Sequence, residues 1–236
     1  MLNELVELKY LYLFLVLASI SYPLFKSWDP RIDFYKKWPA LAKANVILLL
    51  VMIPWDVLFT ENGLWGFNAQ YNLGYDLLSL PVEEWLFFIC IPFACVFIFE
   101  VIVYYDTYNR FRFYSKKVSI LFLLLALGML VIGFGQLYTS VTAILLIILL
   151  SYHLIATNND YLGQFYLAFA VMLIPFFVVN GVLTGSFIKE EVVWYNMDET
   201  FGIRLFTIPL EDIFYCLFMM LFLITFYEKF KLKRQE

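Results

Sequence analysis

Charged and metal-binding residues are scarce in this chain of 236 residues. Lys, Arg, Asp and Glu together make up 15% of it, and there is one histidine, His153, which we expect to be a packed polar residue. The three cysteines, Cys90, Cys95 and Cys216, lie within apolar stretches, so the sequence has neither a disulfide framework nor a zinc-ligand spacing. A glycine-rich dinucleotide fingerprint is also missing. We therefore expect no cofactor, no metal and no nucleic-acid partner.

Apolar residues, by contrast, dominate the chain. They account for 63% of the residues, and the mean hydropathy is +0.80, so there is too little polar surface to coat a soluble globule. Seven apolar stretches are each long enough to cross a hydrocarbon core of ~30 Å as a helix. The predicted spans are 4–22, 39–60, 81–103, 118–137, 140–157, 163–184 and 205–227. The sequence thus predicts an all-α polytopic membrane protein.

Basic residues predict the orientation, because short loops rich in Lys and Arg stay in the cytoplasm. Three basic clusters follow spans one, three and seven: Lys26, Arg31, Lys36 and Lys37; Arg110, Arg112, Lys116 and Lys117; and Lys229, Lys231, Lys233 and Arg234. Only Lys189 and Arg204 fall in the loops on the other side. We therefore expect a protein of the cell (inner) membrane, with its N-terminus outside and its C-terminus in the cytoplasm.

The chain contains an internal repeat. WGFNAQYNLGYDLLSLPVEEWLFF (65–88) aligns without a gap with VWYNMDETFGIRLFTIPLEDIFYC (193–216). Spans one to three (1–110) and five to seven (140–236) form two copies. Span four (111–139) is a linking helix that returns the chain, so both copies point the same way. Parallel repeats of this kind often enclose a site between them.

Each copy places two adjacent acids after a proline at the start of its last helix: Glu83 and Glu84 in the first copy, Glu211 and Asp212 in the second. Acidic residues commonly cap a helix N-terminus, and one would be enough for that. Charge within a span is costly, and ionisable residues there usually mark function. Asp56 near the end of span two is open to a catalytic or a structural interpretation, and Asn180 takes the comparable place in the second copy.

Paired acids in an apolar setting are suited to holding a proton. Two adjacent carboxyl groups cannot both ionise cheaply at low dielectric, so one of them retains its proton and can act as a general acid. Phe87 and Phe88 share a helix face with Glu84, and Tyr215 shares one with Glu211. Aromatic faces attract cations. We therefore expect the acids to generate a carbocation, the rings to shield it, and the acids of both copies to form one composite site.

At these motifs the chain resembles the membrane lycopene cyclases, which occur as two small subunits in some bacteria and as a fused domain in fungi. The matching text is IPWDVLF, WGFN, LPVEEWLFF, NGVLTG, VWYN and IPLEDIFY, and it covers both copies. The resemblance implies that Glu83, Glu84, Glu211, Asp212 and Asp56 are catalytic. Residues of these motifs that could contact the substrate are Trp55, Trp65, Phe67, Asn68, Trp85, Phe87, Phe88, Asn180, Trp194, Tyr195, Asn196 and Tyr215.

The resemblance also implies a reaction. The terminal double bond of a linear carotene is protonated, the ring closes through the cation, and loss of a proton gives a β-ionone ring without redox change. The expected partners are the lipophilic carotenoid, membrane lipid and other enzymes of carotenoid biosynthesis. Two alternatives stay open: a carotenoid hydratase of the same family, which admits water to the cation, and a proton-coupled transporter. The ring type, β, ε or γ, is not settled by the residues.

Overall fold

The fold is built from seven α-helices within residues 9–155 and 160–232, which are the residues that this computed structural model describes. The helices are α1 (Leu11–Lys26), α2 (Trp38–Glu61), α3 (Val82–Tyr105), α4 (Arg112–Ile132), α5 (Leu137–Ile155), α6 (Leu162–Leu183) and α7 (Leu210–Leu232). By length and composition, α2 to α7 can each cross a membrane. The all-α polytopic fold expected from the sequence is confirmed, and the chain is an integral membrane protein.

The helices depart from the predicted spans at three places. The described part of α1 begins at Leu11, and its 16 residues rise about 24 Å, which is short of a ~30 Å core. Residues 4–8 of that predicted span lie outside the described residues. α4 begins earlier than predicted, at Arg112, and ends at Ile132, where the chain turns through Gly133 and Gly135. α7 begins later, because residues 204–209 form a hairpin instead.

The two copies interlock through their middle helices. Within each copy the first and third helices pack together, α1 on α3 and α5 on α7. The second helix of each copy crosses to the third helix of the other, so that α2 packs on α7 and α6 packs on α3. α4 lies against α5 and α6. This arrangement brings the ends of α2 and α6 close to the starts of α3 and α7, and we call this region the acid end.

A short antiparallel strand pair joins the two copies above the acid end. β1 (Trp65–Phe67) pairs with β4 (Val193–Tyr195), and Gly66 lies opposite Trp194, its own equivalent in the repeat. The flanking hydrogen bonds repeat as well, from Asn68 N to Val192 O and from Asn196 N to Leu64 O, both 2.8 Å. Equivalent segments that pair antiparallel are related by a local two-fold axis, so each copy supplies half of this cover.

A tight hairpin precedes the last helix of each copy. β2 (Asp76–Leu77) pairs with β3 (Leu80–Pro81), and β5 (Arg204–Leu205) pairs with β6 (Ile208–Pro209). In the first hairpin both turn residues, Leu78 and Ser79, have positive φ, which a two-residue turn of this hand requires. The hairpin strands were not predicted, and they account for the late start of α7.

The opposite end of the bundle holds a buried ion cluster. Glu100 on α3 accepts hydrogen bonds from Tyr227 (2.8 Å) and Lys231 (3.0 Å) on α7 and pairs with Lys37 before α2. It therefore ties α2, α3 and α7 together. Lys233 and Arg234 of the third basic cluster lie outside the described residues. His153 is buried and shares a hydrogen bond with Thr225 (2.9 Å), as expected for a packed polar side chain.

Candidate active site at the acid end

The paired acids occupy the first turns of α3 and α7. Pro81 and Pro209 close the hairpins immediately before these helices, one position earlier than the first helical residue. All four acids, Glu83, Glu84, Glu211 and Asp212, are buried. Both acids of a pair lie at the same helix N-terminus, but their side chains point in different directions around the helix axis. The first and second acid therefore contact different neighbours.

The first acid of each pair accepts a backbone N–H from the preceding loop. Glu83 Oε1 accepts from Leu73 N (2.7 Å), and Glu211 Oε1 accepts from Phe201 N (2.6 Å), the residue equivalent to Leu73. Glu211 also accepts from Thr139 Oγ1 (2.6 Å). Within the described residues, Oε2 of each of these glutamates has no partner. These two acids thus hold the loops in place, and a catalytic role for them stays a prediction.

The second acid of each pair accepts a hydrogen bond from a tyrosine on the first helix of its own copy. Tyr12 donates to Glu84, and Tyr138 donates to Asp212 Oδ1 (2.6 Å). Asp212 Oδ2 accepts two further bonds, from Asn180 Nδ2 (2.8 Å) and Tyr195 (3.0 Å). Burial, and then the Asp212 carboxyl, raises the pKa of Tyr195 well above its ordinary value, so this tyrosine stays a donor.

Asp56 supplies a third carboxyl group beside this layer. Its Oδ1 accepts from Trp65 Nε1 (2.6 Å), and its carboxyl group lies close enough to that of Glu84 for the two to interact electrostatically. Asp56 thus takes the same position beside Glu84 that Asn180 takes beside Asp212. Asp56 Oδ2 has no N–H or O–H donor among the described residues. Two carboxyl groups can share a hydrogen bond only when one of them carries a proton, whereas an amide always carries donors.

The second acids of both copies line one cavity of about 540 Å³. Asp56, Glu84 and Asp212 all line it, and Glu83 and Glu211 do not. Other predicted residues on its wall are Trp65, Phe67, Phe87, Asn180, Tyr195 and Tyr215. The rest of the lining comes mainly from apolar side chains of α1, α3, α6 and α7. The two copies therefore share a cavity that touches acids from both.

The aromatic residues at the acid end form a continuous cluster around the carboxyl groups. The Trp65 ring centre lies 4.9 Å from that of Phe59, 5.1 Å from Tyr138 and 6.5 Å from Tyr215. Trp55 lies behind Tyr215, at 5.0 Å, and does not line the cavity. Several aromatic rings thus lie close to Asp56, Glu84 and Asp212.

Five other predicted contact residues lie away from the cavity. Asn68 and Asn196 shape equivalent loop turns by accepting from Gln70 N (3.0 Å) and Asp198 N (3.1 Å). Two tryptophans contact the loops: Trp85 donates to Leu77 O (3.0 Å) in the first hairpin, and Trp194 packs over Gly66 in the cover. Phe88 belongs to the buried core.

Sequence reasoning missed Tyr12 and Tyr138, the partners of the second acids. Both follow a leucine at the start of the first helix of each copy, in Leu11-Tyr12 and Leu137-Tyr138. A comparison of span one with span five extended by a few residues at its start would have found them. The repeat was most visible around the acids, and the match in the first helices is limited to this short pair.

Taken together, the helices and the acid end define a class: an integral membrane protein built from a three-helix repeat, with buried carboxyl groups at one end of an apolar cavity. Among the described residues, no group of three or more His, Cys, Asp or Glu side chains is arranged to hold a metal ion.

Comparison with known proteins identifies the family. A sequence model of the family described as "Lycopene cyclase" matches residues 9–102 and 135–230, which correspond to the two copies. The chain belongs to the lycopene cyclase family. It is 25% identical over 130 residues to a "Bifunctional lycopene cyclase/phytoene synthase" of Aspergillus oryzae (strain ATCC 42149 / RIB 40), an alignment that covers 52% of this chain and 21% of that protein. The chain thus spans about a fifth of that relative's length. No solved structure matches.

Proposed function

We propose that this protein is a carotene cyclase that closes β-ionone-type rings at the ends of linear carotenes such as lycopene. The observation that carries the proposal is the meeting of Asp56, Glu84 and Asp212 in one apolar, aromatic-walled cavity. The reaction is acid-catalysed and non-redox, an intramolecular lyase or isomerase step that requires no cofactor. Because one cavity touches acids of both copies, the two copies form one composite site.

The proton comes from the Asp56–Glu84 pair. The two neighbouring carboxyl groups are buried and border the apolar cavity, and they cannot both ionise cheaply there, so the pair holds a proton. Transfer of that proton to one carbon of the terminal double bond leaves a tertiary carbocation on the other. Tyr12 and Trp65 then donate hydrogen bonds to the negative charge that remains on the pair. The first copy therefore acts as the general acid.

Asp212 supplies the fixed negative charge. It accepts hydrogen bonds from Tyr138, Asn180 and Tyr195, all neutral donors that favour a carboxylate at this position. A carboxylate and several π-faces near the reacting end stabilise the cation by electrostatic attraction. The next double bond attacks the cation and closes the ring.

Loss of a neighbouring proton to the now anionic acid pair completes the reaction. One proton enters and one leaves, so the product is an isomer of the substrate. A hydratase would instead add water to the same cation. The largely apolar wall beyond the acid end favours proton loss over capture of water, since bulk water has few polar groups to bind there.

The setting of the enzyme is part of the proposal. We place it in the cell (inner) membrane with the acid end on the non-cytoplasmic side, because the three basic clusters flank the other end. Bilayer lipid surrounds the helices, and enzymes that make or modify the same carotenoids are its expected partners.

Expression of the gene in a lycopene-accumulating bacterium tests the proposal. We expect the pigment to change from red to orange, and mass spectrometry to find a cyclic product with the mass of lycopene. A product heavier by one water would instead show a hydratase. Cells that stay red while they contain membrane-inserted, folded protein would refute the assignment.

A further inference from the structure

The cavity is elongated along the helices, away from the acids. On α3 its lining runs from Glu84 to Ile98, fourteen residues or about 21 Å along the helix axis. On α1 it runs from Tyr12 to Pro23. At the far end lie Tyr22 and Phe97, whose rings meet edge to face at 6.5 Å. The acids thus lie at one end of a long apolar channel.

The channel is open at its side. Four of its lining residues are exposed on the outer surface of the bundle: Ala18 and Tyr22 on α1, and Pro175 and Val178 on α6. α1 and α6 make few contacts with each other, whereas α1 packs closely on α3. We call this gap the side opening. Since it lies along two apolar helices, it faces the hydrocarbon interior of the bilayer.

We propose that the side opening between α1 and α6 is the entrance and seat for the polyene chain of the substrate. The carotene enters sideways from the bilayer, its reacting end rests against the acids, and its chain lies along the channel parallel to the helices. This inference rests on the proposed function for the identity of the ligand. A hydrocarbon is the fitting occupant because the channel walls beyond the acid end carry few polar groups and no charged ones.

Through the side opening, the substrate reaches the acids without passing the loops. Above them the β1–β4 strand pair and its hydrogen bonds close the acid end, so entry there would require that cover to open. A carotene dissolved in the bilayer already lies beside α1 and α6. After one ring has formed, the molecule can leave by the same opening and return with its other end.

Narrowing the side opening tests the proposal. Val178→Trp places a large ring at its rim, and Val131→Trp on α4 is the matched control. Both valines are exposed on apolar helices, Val178 by 64% and Val131 by 77%, but Val131 does not line the channel. The readout is lycopene retained by the purified protein in lipid nanodiscs, measured from its visible absorbance. The changes are made in Glu84→Gln protein, so that binding is measured without turnover.

We expect Val178→Trp to lower lycopene retention about tenfold, within the range of overpacking costs, and Val131→Trp to leave it unchanged. Ala18→Trp, from the opposite side of the opening, should have the same effect as Val178→Trp. Equal retention by all three variants would overturn the inference. So would a loss that accompanies a change of oligomeric state, because the opening would then be covered by a second copy.

The experiment distinguishes failure of the side opening from failure of the proposed cyclase activity. If protein with intact acids never cyclises lycopene, but Val178→Trp still blocks its retention, the seat is supported and the cyclase assignment fails. If the intact protein cyclises lycopene and Val178→Trp cyclises it at the normal rate at limiting substrate, the assignment stands and the side opening is refuted.

Discussion

Asp56→Asn is the most direct test of the shared proton. The second copy already has an asparagine at the corresponding position, because Asn180 lies beside Asp212. An asparagine at position 56 can still accept the Trp65 hydrogen bond through its amide oxygen, and its NH₂ can donate to Glu84. The side chain keeps its size and its bonds, so we expect the variant to fold and insert normally.

What the variant loses is the proton. With an amide as donor, Glu84 is held as a carboxylate by neutral donors, as Asp212 is, and no carboxyl group of the first copy is ready to protonate the substrate. Loss of a general acid costs about 10² to 10⁴ in rate, which corresponds to ~3 to 5 kcal/mol in the activation barrier. We therefore expect ring formation to fall by that factor while lycopene retention is preserved.

The assay is the initial rate of ring formation in membranes that contain equal amounts of protein, with lycopene and products separated by chromatography. Asp56→Glu, which keeps a carboxyl group, should retain more activity than Asp56→Asn. Asp198→Asn, the same change at an exposed loop residue near the acid end, should have no effect. If Asp56→Asn kept more than about a tenth of the wild-type rate, the shared proton would not be the catalytic one.

Three further predictions concern the loops and the orientation. Glu83→Ala removes the acceptor for Leu73 N and should lower the free energy of unfolding by about 1–3 kcal/mol, seen as earlier thermal unfolding in detergent, with Glu83→Gln closer to wild type. In Gly66→Ala, the new Cβ would lie 2.7 Å from Cε2 of Trp194, so we expect a loss of about 1–3 kcal/mol that a second change, Trp194→Ala, relieves. With the native cysteines replaced, cysteine at exposed Gln70 should react with an impermeant thiol reagent from outside, and cysteine at exposed Tyr108 only from the cytoplasm; the reverse pattern would invert the topology.

The helices and the repeat could be predicted because they depend on local properties of the chain. A stretch of about 20 apolar residues satisfies its own backbone hydrogen bonds in a membrane only as a helix. The repeat is visible because Glu83 and Glu211, and the loops before them, align without a gap. The hairpins at residues 76–81 and 204–209 were missed, and the apolar residues of the second hairpin were read as the start of the predicted span 205–227.

The candidate site could be predicted only in part. The adjacent acids at the start of α3 and α7 identified four candidate residues. Their spacing did not distinguish Glu83, which holds a loop, from Glu84, which lines the cavity. One position along a helix turns a side chain by about 100°, and only the packing of neighbouring helices decides what each direction meets. The role of Trp194, which packs on the outside of the cover, was lost for the same reason.

The sequence by itself determined the membrane setting, the apolar helices of the described residues and the presence of acids in both copies, since each follows from composition or from a short repeated text. The tertiary structure alone decided that Asp56 meets Glu84 and that Tyr12 and Tyr138 hold the second acids. These contacts join residues 28 to 74 positions apart, and they form because separate helices of the same copy pack side by side, an arrangement that no local pattern encodes.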